Sequence, residues 1–339
     1  MPAAIRLGYD TYSIRNFRIK ALEHLEYSAK LGLDTIQISS VGDYESLDPA
    51  HLEKVKRRAA ELGITIDAGT GCICSSTRSW NPKQGDPAAY LTQGLRVAKA
   101  VGATSLRCFM GSAADRRGDP PIDLHMENTV RVFKAVRPVA LDAGVRIGLE
   151  NHGDMQAWEL KTVIEEAGKD YVGACLDAGN PIQTVEDPLV SMEILGPYAV
   201  TTHVRDSIVY EHPRGAAWQW VAMGDGVVDL QRWVELHRKL CPNASMQLEI
   251  ITGRPPQVLP YLDPGFWKAF PKARGAEFAR FVGLVKRGHP FEGSMVMEDA
   301  PAKKPPEFQA ALNAQQKVDL ERSLEYSKKV LGAGLKGRG

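Results

Sequence analysis

A short phrase that recurs four times constrains this chain more than any other feature of its sequence. Lys30-Leu31-Gly32-Leu33, Glu61-Leu62-Gly63-Ile64, Ala100-Val101-Gly102-Ala103 and Asp142-Ala143-Gly144-Val145 each place a glycine between an amphipathic stretch and an apolar run. Glycine suits the left-handed residue that closes a helix, so each phrase reads as a helix end followed by a strand. Apolar and β-branched runs give eight strand candidates, at residues 5–9, 35–38, 65–68, 105–109, 146–150, 173–177, 200–204 and 245–250. Helical stretches alternate with them, at 21–31, 52–62, 90–101, 129–143, 160–167, 188–195 and 230–240. Such alternation builds a parallel sheet covered by helices. Eight regular units favour a closed (β/α)8 barrel over an open doubly wound sheet, and no G-x-G-x-x-G follows the first strand to suggest a dinucleotide.

The 339 residues would suffice for two average domains. Barrels of this kind take roughly 250 residues or more as one domain, however, so 1–339 is read as a single unit. Residues 252–305, rich in proline and aromatic residues and ending in APAKKPPE, separate the eighth strand from a closing helix at about 307–330. That stretch is too long for a plain connection. It is expected to form a lid on the barrel mouth or an interface extension, with a peripheral loop over apolar barrel surface as the plainer alternative. A homo-oligomer, or assembly with a second type of subunit, is the corresponding expectation.

Composition narrows the partners. With 42 basic and 41 acidic residues the formal net charge is +1, so no global field gathers nucleic acid or anionic lipid. No run of about eighteen apolar residues suggests a membrane span, and MPAAIRLGYDTYSIR lacks the apolar segment and cleavage signature of a secretory leader. A cytoplasmic protein without nucleic-acid or membrane partners is expected. Five cysteines, an odd number set in apolar stretches, argue against a disulfide framework; Cys72 and Cys74 have no second pair at zinc-site spacing.

Active sites of (β/α)8 barrels lie at the C-terminal ends of the strands. Four successive strand candidates end in an ionisable residue: Glu150 in RIGLEN, Asp177 in ACLDAGNP, His203 in TTHVRD and Glu249 in MQLEI. Carboxylates at apolar strand ends cost several kcal/mol if left unpaired, and one divalent cation would compensate all three. A mostly oxygen donor set with one imidazole suits Mn2+ best, with Mg2+, Co2+ or Zn2+ as alternatives. The competing reading is that each residue is satisfied separately by a basic partner, for example Glu150 by Arg107 or Arg205.

These segments resemble the xylose isomerase-like superfamily, in particular its sugar (phosphate) isomerase/epimerase family. The resemblance runs over about residues 5–251 and the last helix, and is carried by GLENHG, CLDAGNP, THVRDS, MGDGVVDL and QLEI. It implies a single (β/α)8 TIM barrel with a long insertion between strand eight and the C-terminal helix, and one metal ion on Glu150, Asp177, His203 and Glu249. It also implies an activity on a sugar or sugar derivative. Ketose 3-epimerases of the family carry a His three residues after the strand-six Asp and a Glu six residues after the strand-five Glu; here these positions hold Asn180 and Gln156. The branch of metal-dependent endonucleases uses additional histidines, and only eight occur in this chain.

A metal that chelates a carbonyl and a neighbouring hydroxyl acidifies the carbon between them. Glu150, Glu249 and His152 are the candidate acid–base groups, since an imidazole needs little tuning to act near neutral pH. Asn180, Arg205, Asp206 and Trp80 are the candidate substrate contacts, with structural alternatives for each: a turn residue, a local ion pair, loop packing. The first functional expectation is isomerisation or epimerisation of a ketose or polyol derivative. The second is a lyase using the same carbanion, either a dehydratase or an enzyme cleaving 3-oxo-glycosides by β-elimination. A non-catalytic sugar-binding barrel is the third.

Overall fold

The computed structural model describes residues 4–298 and 305–336; residues 299–304 of the expected 252–305 extension lie outside them. Seven parallel strands follow in chain order, β1 (Leu7–Tyr9), β2 (Thr35–Ile38), β3 (Thr65–Cys72), β4 (Ser105–Phe109), β5 (Arg146–Glu150), β6 (Val172–Asp177) and β7 (Ala199–His203). A hairpin, β8 (Asp206–His212) and β9 (Gly215–Val221), comes next, and β10 (Met246–Leu248) supplies the eighth barrel strand. Strands β2 to β7 pair in sequence order, β1 pairs with β10, and parallel bridges Asp10–Gln37 and Val204–Leu248 close the ring.

The recurring glycines do what their context requires. Gly32, Gly63, Gly102 and Gly144 all sit at positive φ, from +61° to +79°, immediately before the next strand. Helices α1 (Ala21–Lys30), α2 (Pro49–Glu61), α3 (Pro87–Val101), α4 (Ala113–Arg116), α5 (Ile122–Ala143), α6 (Ala157–Ala167), α7 (Pro188–Leu195) and α8 (Leu230–Leu240) alternate with the strands, and α10 (Pro306–Lys329) closes the outer layer. Apolar side chains between strands and helices form the main core, among them Leu25, Ile36, Leu91, Leu106, Ile147, Leu160, Trp233 and Leu320. Among the described residues no helix is long and apolar enough to cross a membrane.

The hairpin is the element that sequence periodicity did not separate from the mouth loops. Its third strand is β11 (Gln257–Leu259), antiparallel to β9 with Gln257 opposite Trp218. Beyond it, α9 (Gly275–Val285) and the aromatic run around Phe266 and Phe270 form a second apolar cluster with Ile182, Val209 and Trp218. Residues 252–298 therefore carry a small core of their own, seated on the hairpin and on the turn after β6.

The start of α6 depends on one buried acid. Glu186 accepts hydrogen bonds from the Ala157 backbone at 3.0 and 3.1 Å and from Thr184 Oγ1 at 3.1 Å. Burial pushes its carboxyl up to about 8, the backbone and hydroxyl donors opposing only partly. The folded state thus holds a proton that the unfolded chain releases near the ordinary glutamate value. Stability is unaffected below that value, falls by about 1.4 kcal/mol per pH unit between it and about 8, and levels off above. Urea denaturation of Glu186→Gln should match the wild type near pH 4.5 and show a more stable protein near pH 8.

Candidate metal centre

The C-terminal ends of β5, β6, β7 and β10 bring Glu150, Asp177, His203 and Glu249 together, with one donor atom from each lying within 4.8 Å of the others. All four are buried. Backbone and side-chain staples fix the strand ends: Asn151 donates Nδ2 to the Asp177 carbonyl at 3.0 Å and accepts the Asp177 N–H at 2.7 Å. Asp177 Oδ1 takes the N–H groups of Gly179 and Asn180, both at 2.7 Å, which accounts for the tight AGN turn after β6.

Two guanidinium groups share the negative charge. Arg107 Nε donates to Glu150 Oε2 at 2.6 Å, and Asn180 Nδ2 donates to Glu150 Oε1 at 3.1 Å. Arg205 donates Nε to Asp177 Oδ2 at 2.8 Å, while its Nη2 bridges Asp177 and Glu249 and lies 3.6 Å from Glu150 Oε1. Its stem passes over Gly179, where a Cβ would stand 2.5 Å from Arg205 Cγ. Burial alone would push the Glu150 and Glu249 carboxyls up, but the facing guanidinium groups and His203 hold both low, Glu249 at about 2. Burial, reinforced by the other two carboxylates, leaves Asp177 raised despite Arg205.

The donor set fits a divalent ion. His203 Nδ1 lies 3.3 Å from both Glu150 Oε1 and Glu249 Oε2 and is a buried nitrogen with no hydrogen-bond partner. A cation between them would use that nitrogen and the carboxylate oxygens together. Arg205 Nη2 reaches the same three carboxylates, so an ion held by them and this guanidinium position are alternatives.

Above the four residues opens a cavity of about 410 Å3, lined by Tyr12, Ser39, Arg107, Phe109, His152, Trp220, Glu249, Ile251, Arg254 and Gln257. His152 Nδ1 donates to the Gly111 carbonyl at 2.8 Å, and the ring stacks on Phe109 at 4.2 Å. Since a carbonyl only accepts, the neutral ring carries its proton on Nδ1 and keeps Nε2 as the basic atom. Asp154 shapes this loop, accepting the N–H groups of Gly111 and Met155 at 2.8 Å and of His152 at 3.2 Å.

The remaining candidates fall elsewhere. Asn180 and Arg205 stand behind the carboxylates rather than on the cavity wall. Asp206 turns away to hold the MGDG loop, accepting the N–H groups of Gly224 and Gly226 at 3.0 Å; the expectation of a substrate contact there is replaced by a structural one. Trp80 packs edge-on against Tyr90 at 6.0 Å, outside the cavity lining, and the indole on the wall is Trp220 from β9. Tyr12 and Ser39 lie in GYDTYSIR and QISS, which by the family resemblance look like substrate-lining segments; Arg254 and Gln257, at the start of the extension, were not singled out in the sequence.

A family model described as a xylose isomerase-like TIM barrel matches residues 25–258, and the chain belongs to that family. It is 26% identical over 221 residues to the 3-oxo-isoapionate decarboxylase of Pectobacterium atrosepticum, covering 65% of this chain and 72% of that protein. Among solved structures, a D-psicose 3-epimerase crystallised in the presence of D-fructose shares the fold with a TM-score of 0.62 and 16% identity, over 97% of this chain and all of that one. The 3-keto-D-glucoside 4-epimerase of E. coli aligns with a TM-score of 0.54 and 15% identity, over 79% of this chain and 98% of its own.

Arg107→Met should cost about 3–5 kcal/mol of stability in chemical denaturation, because it leaves Glu150 buried beside two other carboxylates without its principal cation. A loss below about 1 kcal/mol would mean that the Arg107 pair carries little of the charge balance.

Proposed function

We propose that this protein is a divalent-metal-dependent enzyme that forms a carbanion next to the carbonyl of an oxo-sugar or sugar acid, and that the carbanion arises or resolves by bond cleavage, making it a lyase. The observation that carries the metal reading is the convergence of three carboxylates and an unpartnered imidazole nitrogen at the strand ends. An ion held there supplies Lewis-acid polarisation of the substrate carbonyl and an adjacent hydroxyl. Its oxygen-rich donor set favours Mn2+, with Mg2+, Co2+ or Zn2+ able to take the same residues.

The residues around it support cleavage over a two-base inversion. Inverting a carbon by proton transfer needs a base on one face and an acid on the other, and Glu150 and Glu249 are the carboxylates placed for that. Both are tied to guanidinium groups, which stabilise the anion and make each a weak base. His152 is the one imidazole on the cavity wall, oriented by Gly111 so that Nε2 can deliver or remove a single proton. Loss of carbon dioxide from a 3-oxo acid needs no base for the bond-breaking step and one proton afterwards. β-Elimination needs one base, and His152 serves either route. The similarity to a 3-oxo-isoapionate decarboxylase points the same way.

A second reading, isomerisation or epimerisation of a ketose, draws on the same carbanion and on the likeness in fold to D-psicose 3-epimerase. Proton NMR in D2O separates the two across ketoses, 3-oxo-glycosides and 3-oxo sugar acids. Purified protein should contain about one divalent ion per chain and release either carbon dioxide with one deuterium in the product or a fragment with the α-hydrogen lost from the product. A deuterated isomer would favour the second reading. Glu249→Gln should lose at least about 100-fold in turnover with its fold retained; unchanged turnover would sink the metal mechanism.

A further inference from the structure

One layer below the ligands the barrel interior is polar, and its hydrogen bonds run in one direction. Side chains two residues apart on a strand share a face, so Thr201 lies beneath His203, Gln247 beneath Glu249 and Ser105 beneath Arg107. Gln37 and Asp67 occupy the same level, paired in register on β2 and β3. All five are buried.

Asp67 anchors the sequence of donors. It accepts from Ser105 Oγ at 2.8 Å, from Gln247 Nε2 at 2.8 Å and from Thr201 Oγ1 at 3.1 Å. A carboxylate only accepts, so the Thr201 hydroxyl proton is spent on Asp67 and its oxygen must accept from the next group. That group is Gln37 Nε2, at 3.1 Å. The amide is thereby oriented with Oε1 towards His203 Nε2, with which it forms a short hydrogen bond. An amide oxygen only accepts, so His203 carries its proton on Nε2 and presents a lone pair on Nδ1. Nδ1 is the buried nitrogen facing Glu150 and Glu249.

We propose that Thr201 and Gln37, anchored on Asp67, are positioning residues that fix the ring tautomer in which His203 can bind a metal ion. Asp10 Oδ2 also faces Nε2, at 3.4 Å, but without the Thr201 link the Gln37 amide can reverse and present its NH2 group to that nitrogen, which favours a ring proton on Nδ1, where it opposes an ion. Outer partners of metal-bound histidines are typically worth about 10–100-fold in metal affinity, and the relay places this one three residues deep. The inference rests on the metal reading above, and its test reads binding and spectra rather than turnover.

The test is a double-mutant cycle with Mn2+ and Zn2+ affinities measured by calorimetry. Thr201→Val, nearly isosteric, should weaken binding at least about 10-fold. Gln37→Glu supplies an acceptor that needs no orienting, so in that background Thr201→Val should change affinity less than about 2-fold. Nitrogen-15 shifts of the His203 ring in metal-free protein, taken at a pH where the ring is neutral, should report the proton on Nε2 in the wild type and a mixed or reversed tautomer in Thr201→Val. Equal losses in both backgrounds, an unchanged affinity in Thr201→Val, or an unchanged tautomer would each overturn the relay. Tight binding with equal losses would leave the metal site standing, whereas no binding by wild type or Gln37→Glu would overturn both readings. If Thr201→Val does not fold, Gln37→Leu against Gln37→Glu decides: loss in the first with retention in the second is expected, and equal affinities would overturn it.

Discussion

Three carboxylates buried within a few ångströms of one another cannot stand without cations, and the architecture around the barrel mouth follows from that requirement. Arg107 from β4 takes Glu150, and Arg205, two residues beyond the end of β7, takes Asp177 and Glu249. Asp10, buried beside them, lies 3.4 Å from His203 Nε2, so four acids and two guanidinium groups share this end of the barrel. Between buried groups such pairings are electrostatically far stronger than at a surface.

The requirement also accounts for what lies below and beside the ligands. Barrel interiors of this fold are commonly filled by layers of branched apolar side chains. Here the layer under the ligands holds Gln37, Asp67, Ser105, Thr201 and Gln247, every one engaged in hydrogen bonds within the layer. A layer of valines would pack as densely but would take the Gln37 amide away from His203 Nε2, leaving Asp10 at 3.4 Å as the acceptor beside it. The apolar core is displaced outward, between strands and helices, where Leu25, Leu91, Leu106 and Leu160 exclude water from the back of the sheet.

Eight strands and their order were legible because the signal is local: a period, a glycine and the next apolar run. The four converging residues were legible for a related reason, since an ionisable side chain at an apolar strand end has few cheap solutions. The hairpin at 206–221 was missed because its alternation, Ile208 and Tyr210 against Val209 and Glu211, sits inside what counts as a loop when only barrel strands are sought. Trp80 and Trp220 could not be told apart in sequence, since which loop leans over the mouth is decided by β9 pairing with β11. The role of Asp206 needed the backbone at 224–228. Gly226 carries the trace of it, since a Cβ there would come within 2.0 Å of Asp206 Oδ1. Gln37, Asp67 and Thr201 read individually as polar interruptions of a strand; their meaning lies in a contact between three strands that no spacing encodes.

Chemistry and shape are supplied by different parts of the chain, and the way they are fastened differs. Glu150, Asp177, His203 and Glu249 belong to the barrel and are pinned by backbone pairing and the polar layer. Trp220, Arg254 and Gln257, which wall the cavity, belong to the hairpin and the extension. These are held chiefly to each other, through β9–β11 pairing and the cluster of Trp218, Leu259, Phe266, Phe270 and Phe281. A change of residue or loop length there would reshape the cavity while leaving the ends of β5, β6, β7 and β10 in place. The result is a division between the converging residues and the cavity wall. In this chain it falls between Ile251, the last wall residue close to a barrel strand, and Arg254, the first from the extension.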